Sequence, residues 1–337
     1  MTRLARALPL CLVLVACLGG VADAWTRTPA TTFATLPDDA AHPEGITVDA
    51  DGNVYVTTFE PTKTGPGQMF VFSHSGHLLR RVAIAGSDSK LLDLAFHPTT
   101  GALLVIDFGS ARVLTVNPFT GANTVFTQLP VGAGPNVLTF DRLGNVYISD
   151  SFGGTIFRTG PAGGAAVAWK TDPLLTTTGV PPFGANGLAF NRAQTSLFVA
   201  NTGNDSVVQI DVSPGFVAGT AREFTNSVNG ADGLIIDDED NLWIAANQSD
   251  EIVVVDPTGR AIAKLGDFDG LDAKGAPVNL LFPASLVRHG NFIYVTNLAL
   301  DLRLFGHNTI DAQWAADVKR HTISRIPAHI PPVRGLQ

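Results

Sequence analysis

PEGITVDADGNVYVTT, residues 43–58, reads as two short apolar strands joined by a polar turn. Ile46 and Val48 alternate with polar neighbours, Asp51-Gly52 is a hairpin signal, and Val54, Tyr55 and Val56 resume the β pattern. The unit recurs as LLDLAFHPTTGALLVID from Leu91, PNVLTFDRLGNVYISD from Pro135, ANGLAFNRAQTSLFVAN from Ala185 and ADGLIIDDEDNLWIAAN from Ala231. A degenerate sixth copy, PASLVRHGNFIYVTN, starts at Pro283. Equivalent positions Glu44, Leu92, Asn136, Asn186, Asp232 and Ala284 are spaced by 48, 44, 50, 46 and 52 residues. That period fits four-stranded propeller blades of about 40–50 residues. A third strand-like run follows each hairpin, for example QMFVFSHSG from Gln68 and EIVVVDPTG from Glu251. Helical repeats of similar period need two amphipathic helices per unit, and no window sustains a 3.6-residue pattern free of Gly and Pro.

The expectation is therefore an all-β chain, a single-domain six-bladed β-propeller spanning residues 25–337. TTFATLP near its start is expected to lie beside HTISRIPAHI near its end and close the ring. A longer insertion, Leu298 to Val318, precedes the last strand, with a short helix expected around Ala312–Lys319.

Residues 1–24 read as an export signal, with Arg3 and Arg6, an apolar run from Leu8 to Leu18, and the cleavage-like Ala22-Asp23-Ala24. Leu14-Val15-Ala16-Cys17 also has the form of a bacterial lipobox, through which Cys17 would anchor the chain to lipid; otherwise Cys17 is a small residue of the signal core. The expected location is periplasmic or secreted. Both cysteines, Cys11 and Cys17, fall in this segment, so the mature chain has no disulfide, thiol nucleophile or thiolate metal site. No later stretch approaches the length of a membrane span. The formal charge is −8, and loss of two Arg and one Asp with the signal makes it −9. An acidic surface disfavours nucleic acid and anionic membranes, and favours cations or neutral small molecules.

In an antiparallel hairpin, the start of the first strand and the end of the second share one end of the blade. With the first strand innermost, Glu44, Leu92, Asn136, Asn186, Asp232 and Ala284 ring the channel mouth. Thr58, Asp107, Asp150, Asn201, Asn247 (shifted by one) and Asn297 back them. An inner ring of carboxylates and amides without His or Cys suits a hard cation: Ca²⁺ first, Mg²⁺ or Mn²⁺ next, Zn²⁺ least. The competing reading is that Asn, Asp and Gly before a strand are ordinary turn formers. His42, two residues before Glu44, is read as a loop-surface residue, and no G-x-S-x-G elbow is present.

Glu44-Gly45, Asn186-Gly187-Leu188 and Asp232-Gly233-Leu234 resemble signatures of the regucalcin/gluconolactonase family, six-bladed propellers that hold one divalent cation and hydrolyse lactones. The resemblance implies Glu44, Asn186 and Asp232 as metal ligands and Asn136 as the substrate-contacting Asn. It implies a hydrolase of a lactone or small ester, with Asp232, and Asp150 second, to orient or deprotonate water, and Asn136 donating to a substrate oxygen. Where many members read R-x-N-D, this chain has Gly134-Pro135-Asn136-Val137, without the Arg and Asp. PEGITVDADGNVYVTT is also similar to NHL-type propellers, several of which only bind partners. The alternative is thus a non-catalytic exported propeller with a structural Ca²⁺ that binds a protein or glycan.

Overall fold

A computed structural model describes residues 27–331, which form six four-stranded antiparallel sheets arranged as blades. The expected signal and lipobox lie outside the described residues. In blade 1 the strands Pro43–Val48, Val54–Thr58, Gln68–Phe72 and Leu78–Ala83 run from the channel outward. Blades 2 to 5 repeat this order, with inner strands Leu91–Phe96, Pro135–Phe140, Ala185–Phe190 and Ala231–Ile236. In blade 6 the inner strand Pro283–His289 is followed by Phe292–Asn297 and Thr322–Pro327, and the outermost place is taken by Thr31–Thr35. Thr31 pairs with Arg325 and Thr35 with Thr322, so the two ends of the chain close the ring as the sequence suggested.

Burial follows from this layering. The second strands, Val54–Thr58 and Leu103–Asp107, are buried at every position because adjacent blades cover both faces. Tyr55, Met69 and Val71 of blade 1 thus share one core with Leu94, Leu103 and Val105 of blade 2. Outer strands such as Leu78–Ala83 are largely exposed, which is why their periodicity is weak in the sequence. Between blades 5 and 6 a small hairpin, Phe268–Leu271 with Pro277–Asn279, adds a seventh sheet. The insertion carries a helix at Ile310–Asp317, starting two residues earlier than expected. No helix among the described residues is long and apolar enough to cross a membrane.

One irregularity recurs in all six blades. The pairing of first and second strands slips between Pro43 and Ile46, Leu91 and Leu94, Pro135 and Leu138, Ala185 and Leu188, Ala231 and Leu234, and Pro283 and Leu286. Each slip holds the ring position and the residue after it, and such bulges re-aim side chains. The freed amides find side-chain partners: Gly45 N donates to Thr57 Oγ1 (3.1 Å), Val137 N to Ser149 Oγ (3.0 Å) and Ser285 N to Thr296 Oγ1 (3.0 Å). Neighbouring blades are tied by single bonds, including Thr296 Oγ1 to the Glu44 carbonyl (2.7 Å) and Leu138 N to Asp93 Oδ2 (2.9 Å).

The glycines that follow Glu44, Asn186 and Asp232 have a steric cause. A Cβ on Gly187 would lie 2.3 Å from the Asp232 carbonyl oxygen, and one on Gly233 2.6 Å from that of Ala284. Inner strands converge too closely there for any side chain.

Candidate functional site

Glu44, Asn136, Asn186 and Asp232 line one small cavity of about 40 Å³ where the inner strands begin. They are buried, and the bulges turn all four toward the same space. Register pairs Pro135 with Asp150, Ala185 with Asn201 and Ala231 with Ala246. The residue after each of those partners, Ser151, Thr202 or Asn247, then supports the inner residue of its own blade. Asn136 Nδ2 donates to Ser151 Oγ (3.1 Å), Asn186 Nδ2 to Thr202 Oγ1 (2.9 Å), and Asn247 Nδ2 to Asp232 Oδ2 (3.1 Å).

The orientation of Asn136 is fixed by Ser151, whose own proton goes to the Ala185 carbonyl (2.7 Å), leaving its oxygen to accept. Asn136 therefore presents an acceptor to the cavity, where the sequence reading expected a donor. The result is five buried oxygens without a hydrogen-bond partner lining one cavity: Glu44 Oε2, Asn136 Oδ1, Asn186 Oδ1, Asp232 Oδ1 and Asn247 Oδ1. Orphaned buried acceptors are costly singly, and five in one cavity call for a shared counter-group.

The electrostatics agree. Burial raises the Glu44 carboxyl well above its usual range, and the charges of Asp232 and Asp93 push it further. Burial also lifts Asp232 to about 7 against hydrogen bonds from Asn247 and Asn186, and Asp93 to about 7 against the amides of Leu138 and Leu94. No Lys, Arg or His among the described residues lines the cavity. Carboxylates and amide oxygens without a nitrogen donor fit a hard divalent cation, with Glu44, Asn186 and Asp232 as its holders and Asn136 and Asn247 beside them. The set depends on amides, since the described residues hold no cluster of three or more His, Cys, Asp or Glu with metal-ligand geometry.

Other expected residues lie elsewhere. The Asp150 carboxylate accepts from Gly134 N (2.8 Å) and Phe152 N (3.1 Å), and it does not line the cavity. Asp107 is engaged by Arg112 and Asn201 by the Leu174 and Thr176 carbonyls, so this backing ring ties down loops. His42 is not on a loop surface; its ring packs edge-on against His321, 4.7 Å between centroids, with Nδ1 at 3.0 Å from the Leu298 carbonyl. Sequence reasoning passed over Asp93, which follows the apolar Leu92, and placed Asn247 in the backing ring.

The channel mouth is apolar on its other side. Phe59, Pro181, Phe183, Phe282, Leu298 and Leu300 wall the cavity above the oxygens. Phe108 and Phe152 extend this wall, with ring centroids 5.7 Å apart and 6.3 and 5.8 Å from Phe183.

Comparison with known proteins is consistent with this architecture. The family profile described as SMP-30/Gluconolactonase/LRE-like region matches residues 94–266, and one described as strictosidine synthase-like, N-terminal, matches residues 30–60. No curated protein matches the chain. Among solved structures, a luciferin-regenerating enzyme superposes with TM-score 0.64 at 15% identity, covering 91% of this chain and 99% of that one. A gluconolactonase from Xanthomonas campestris gives 0.61 at 15%, covering 89% and 95%. The calcium-binding protein regucalcin from Agrobacterium tumefaciens gives 0.60 at 15%, covering 92% and 98%. At these identities the superpositions speak for the fold.

Proposed function

The chain belongs to the SMP-30/gluconolactonase/LRE-like family, and from that premise we propose that it is a divalent-cation-dependent hydrolase of a lactone or related small ester. The observation that carries this reading is the group of five orphaned oxygens in one cavity free of cationic side chains. Glu44, Asn186 and Asp232 hold the cation. When bound, it supplies polarisation of a carbonyl oxygen and activation of water.

The chain's own groups do the rest. Asn247 fixes one oxygen of Asp232 and leaves Oδ1 facing the cavity. Asp232 takes a proton as the water oxygen adds to the lactone carbonyl carbon. It returns that proton to the ring oxygen when the C–O bond breaks, giving a hydroxy acid. Asn136 Oδ1 accepts a hydrogen bond from a donor beside the lactone ring. Asp150, bound to two loop amides, has no part in the transfer.

The test is a panel of lactones on the purified chain with and without chelator, beside Glu44→Gln. Turnover abolished by chelation and reduced at least a hundredfold by the substitution supports the reading. A bound cation with no turnover across the panel would overturn it in favour of a partner-binding propeller.

A further inference from the structure

The cavity has a polar floor and an apolar wall, and at the ends of the second strands the division runs by blade. The residue following the strand-end partner is Ser151, Thr202 and Asn247 on blades 3 to 5, but Leu298, Phe59 and Phe108 on blades 6, 1 and 2. Leu92 and Ala284 continue the apolar half on the inner ring. On the polar half, Asn136, Asn186 and Asn247 each give one amide N–H, to Ser151, Thr202 and Asp232, and each keeps a second. The mouth therefore offers acceptors with a few amide and hydroxyl donors at its floor, and hydrocarbon along its wall. Phe183 stands half-buried in the wall, and Phe152 is 52% exposed at its outer edge, so the apolar surface leads out of the channel without a polar break.

We infer that the site selects a lactone bearing an apolar alkyl or aryl substituent, seated against Phe59, Phe183 and Leu300, over polyhydroxylated sugar lactones. This rests on the lactonase reading above. A sugar lactone would bury several hydroxyls against a wall with nothing to bond them, and sites reject ligands whose polar groups they leave unpaired. A hydrocarbon substituent gains there instead, by about fourfold in affinity or kcat/KM for each buried methylene.

The test uses the cation-loaded full chain and two homologous series. The first is γ-lactones with zero to six side-chain carbons, beside glucono-δ-lactone, read as kcat/KM by proton release. The second is the matching γ-lactams, which are not hydrolysed, read as Kd by calorimetry. Both series should strengthen by about fourfold per methylene until the wall is covered, with gluconolactone at least tenfold below the hexyl lactone. Phe183→Ser, a change on a half-buried loop residue, should flatten both slopes by at least half. A flat lactam series overturns the apolar preference whether or not any lactone turns over. A rising lactam series with no hydrolysis of any lactone sinks the lactonase reading alone and leaves the apolar site standing. A gluconolactone rate equal to that of the hexyl lactone would also overturn the proposal.

Discussion

Replacing Asp232 by Asn should stabilise the cation-free protein and abolish its response to cation. In the folded chain burial lifts this carboxyl from an ordinary 3.8 to about 7. Below pH 3.8 it is protonated both folded and unfolded, and its burial brings no pH-linked penalty. As pH rises toward 7, the folded chain retains a proton that the unfolded chain has lost, and stability falls. Above pH 7 the penalty is complete and amounts to about 4 kcal/mol. Asp232→Asn removes it, less the cost of leaving one donor facing Asn247. For a chain of this size each kcal/mol moves Tm by about 2 °C, so the variant should melt up to about 8 °C above wild type at pH 8 in chelator. At pH 4 the two should melt together. With millimolar Ca²⁺ the order reverses, because wild type gains binding energy and the variant does not. Calorimetry at two pH values with and without chelator reads all of this. A variant that melts below wild type in chelator at pH 8, or that gains as much from Ca²⁺, would refute the reasoning.

Asp250 and Asp311 form a second strained pair, pushed up to about 8 and about 6 by burial, with Asp250 raised further by Asp311, Asp267 and Glu251. Both are raised, so their contribution is present at low pH and lost as pH climbs from 4 to 8; urea titrations should find Asp311→Asn about 1–2 kcal/mol more stable than wild type at pH 8 and equal to it at pH 4. Gly187→Ala would set a Cβ 2.3 Å from the Asp232 carbonyl oxygen, costing about 3 kcal/mol in urea denaturation and at least tenfold in calorimetric cation affinity. Asp150→Asn should lower stability by about 1–2 kcal/mol through its loop amides while changing kcat less than threefold; a hundredfold loss of kcat would return Asp150 to the chemistry.

The blades, their count and the closing strand were legible because the hairpin repeats with its turn residues in place. The ring of Glu44, Asn136, Asn186 and Asp232 was legible as well, since equal positions in equal units face one axis. The supporting ring was not. A strand-end Asp or Asn looks alike whether it ties a loop, as Asp150 and Asn201 do, or faces the channel, as Asn247 does. The one-residue shift of Asn247 was visible in the repeat, but only the register, which pairs Ala231 with Ala246, shows its consequence. That single step turns the side chain to the opposite face. Asp93 escaped notice because its neighbour Leu92 occupies the ring position, and the bulge that shifts the pairing there has no sequence mark. The apolar wall is assembled from Phe59, Phe183, Phe282 and Leu300, which lie far apart in the chain and share no motif.

The central claim is that the orphaned oxygens hold one cation. Calorimetric titration of Ca²⁺, then Mg²⁺ and Mn²⁺, into chelator-stripped full chain tests it directly, with Glu44→Gln alongside. The account predicts one ion per chain for wild type and at least hundredfold weaker binding for the variant. No binding by wild type of any of the three ions, or binding untouched by Glu44→Gln, would contradict it.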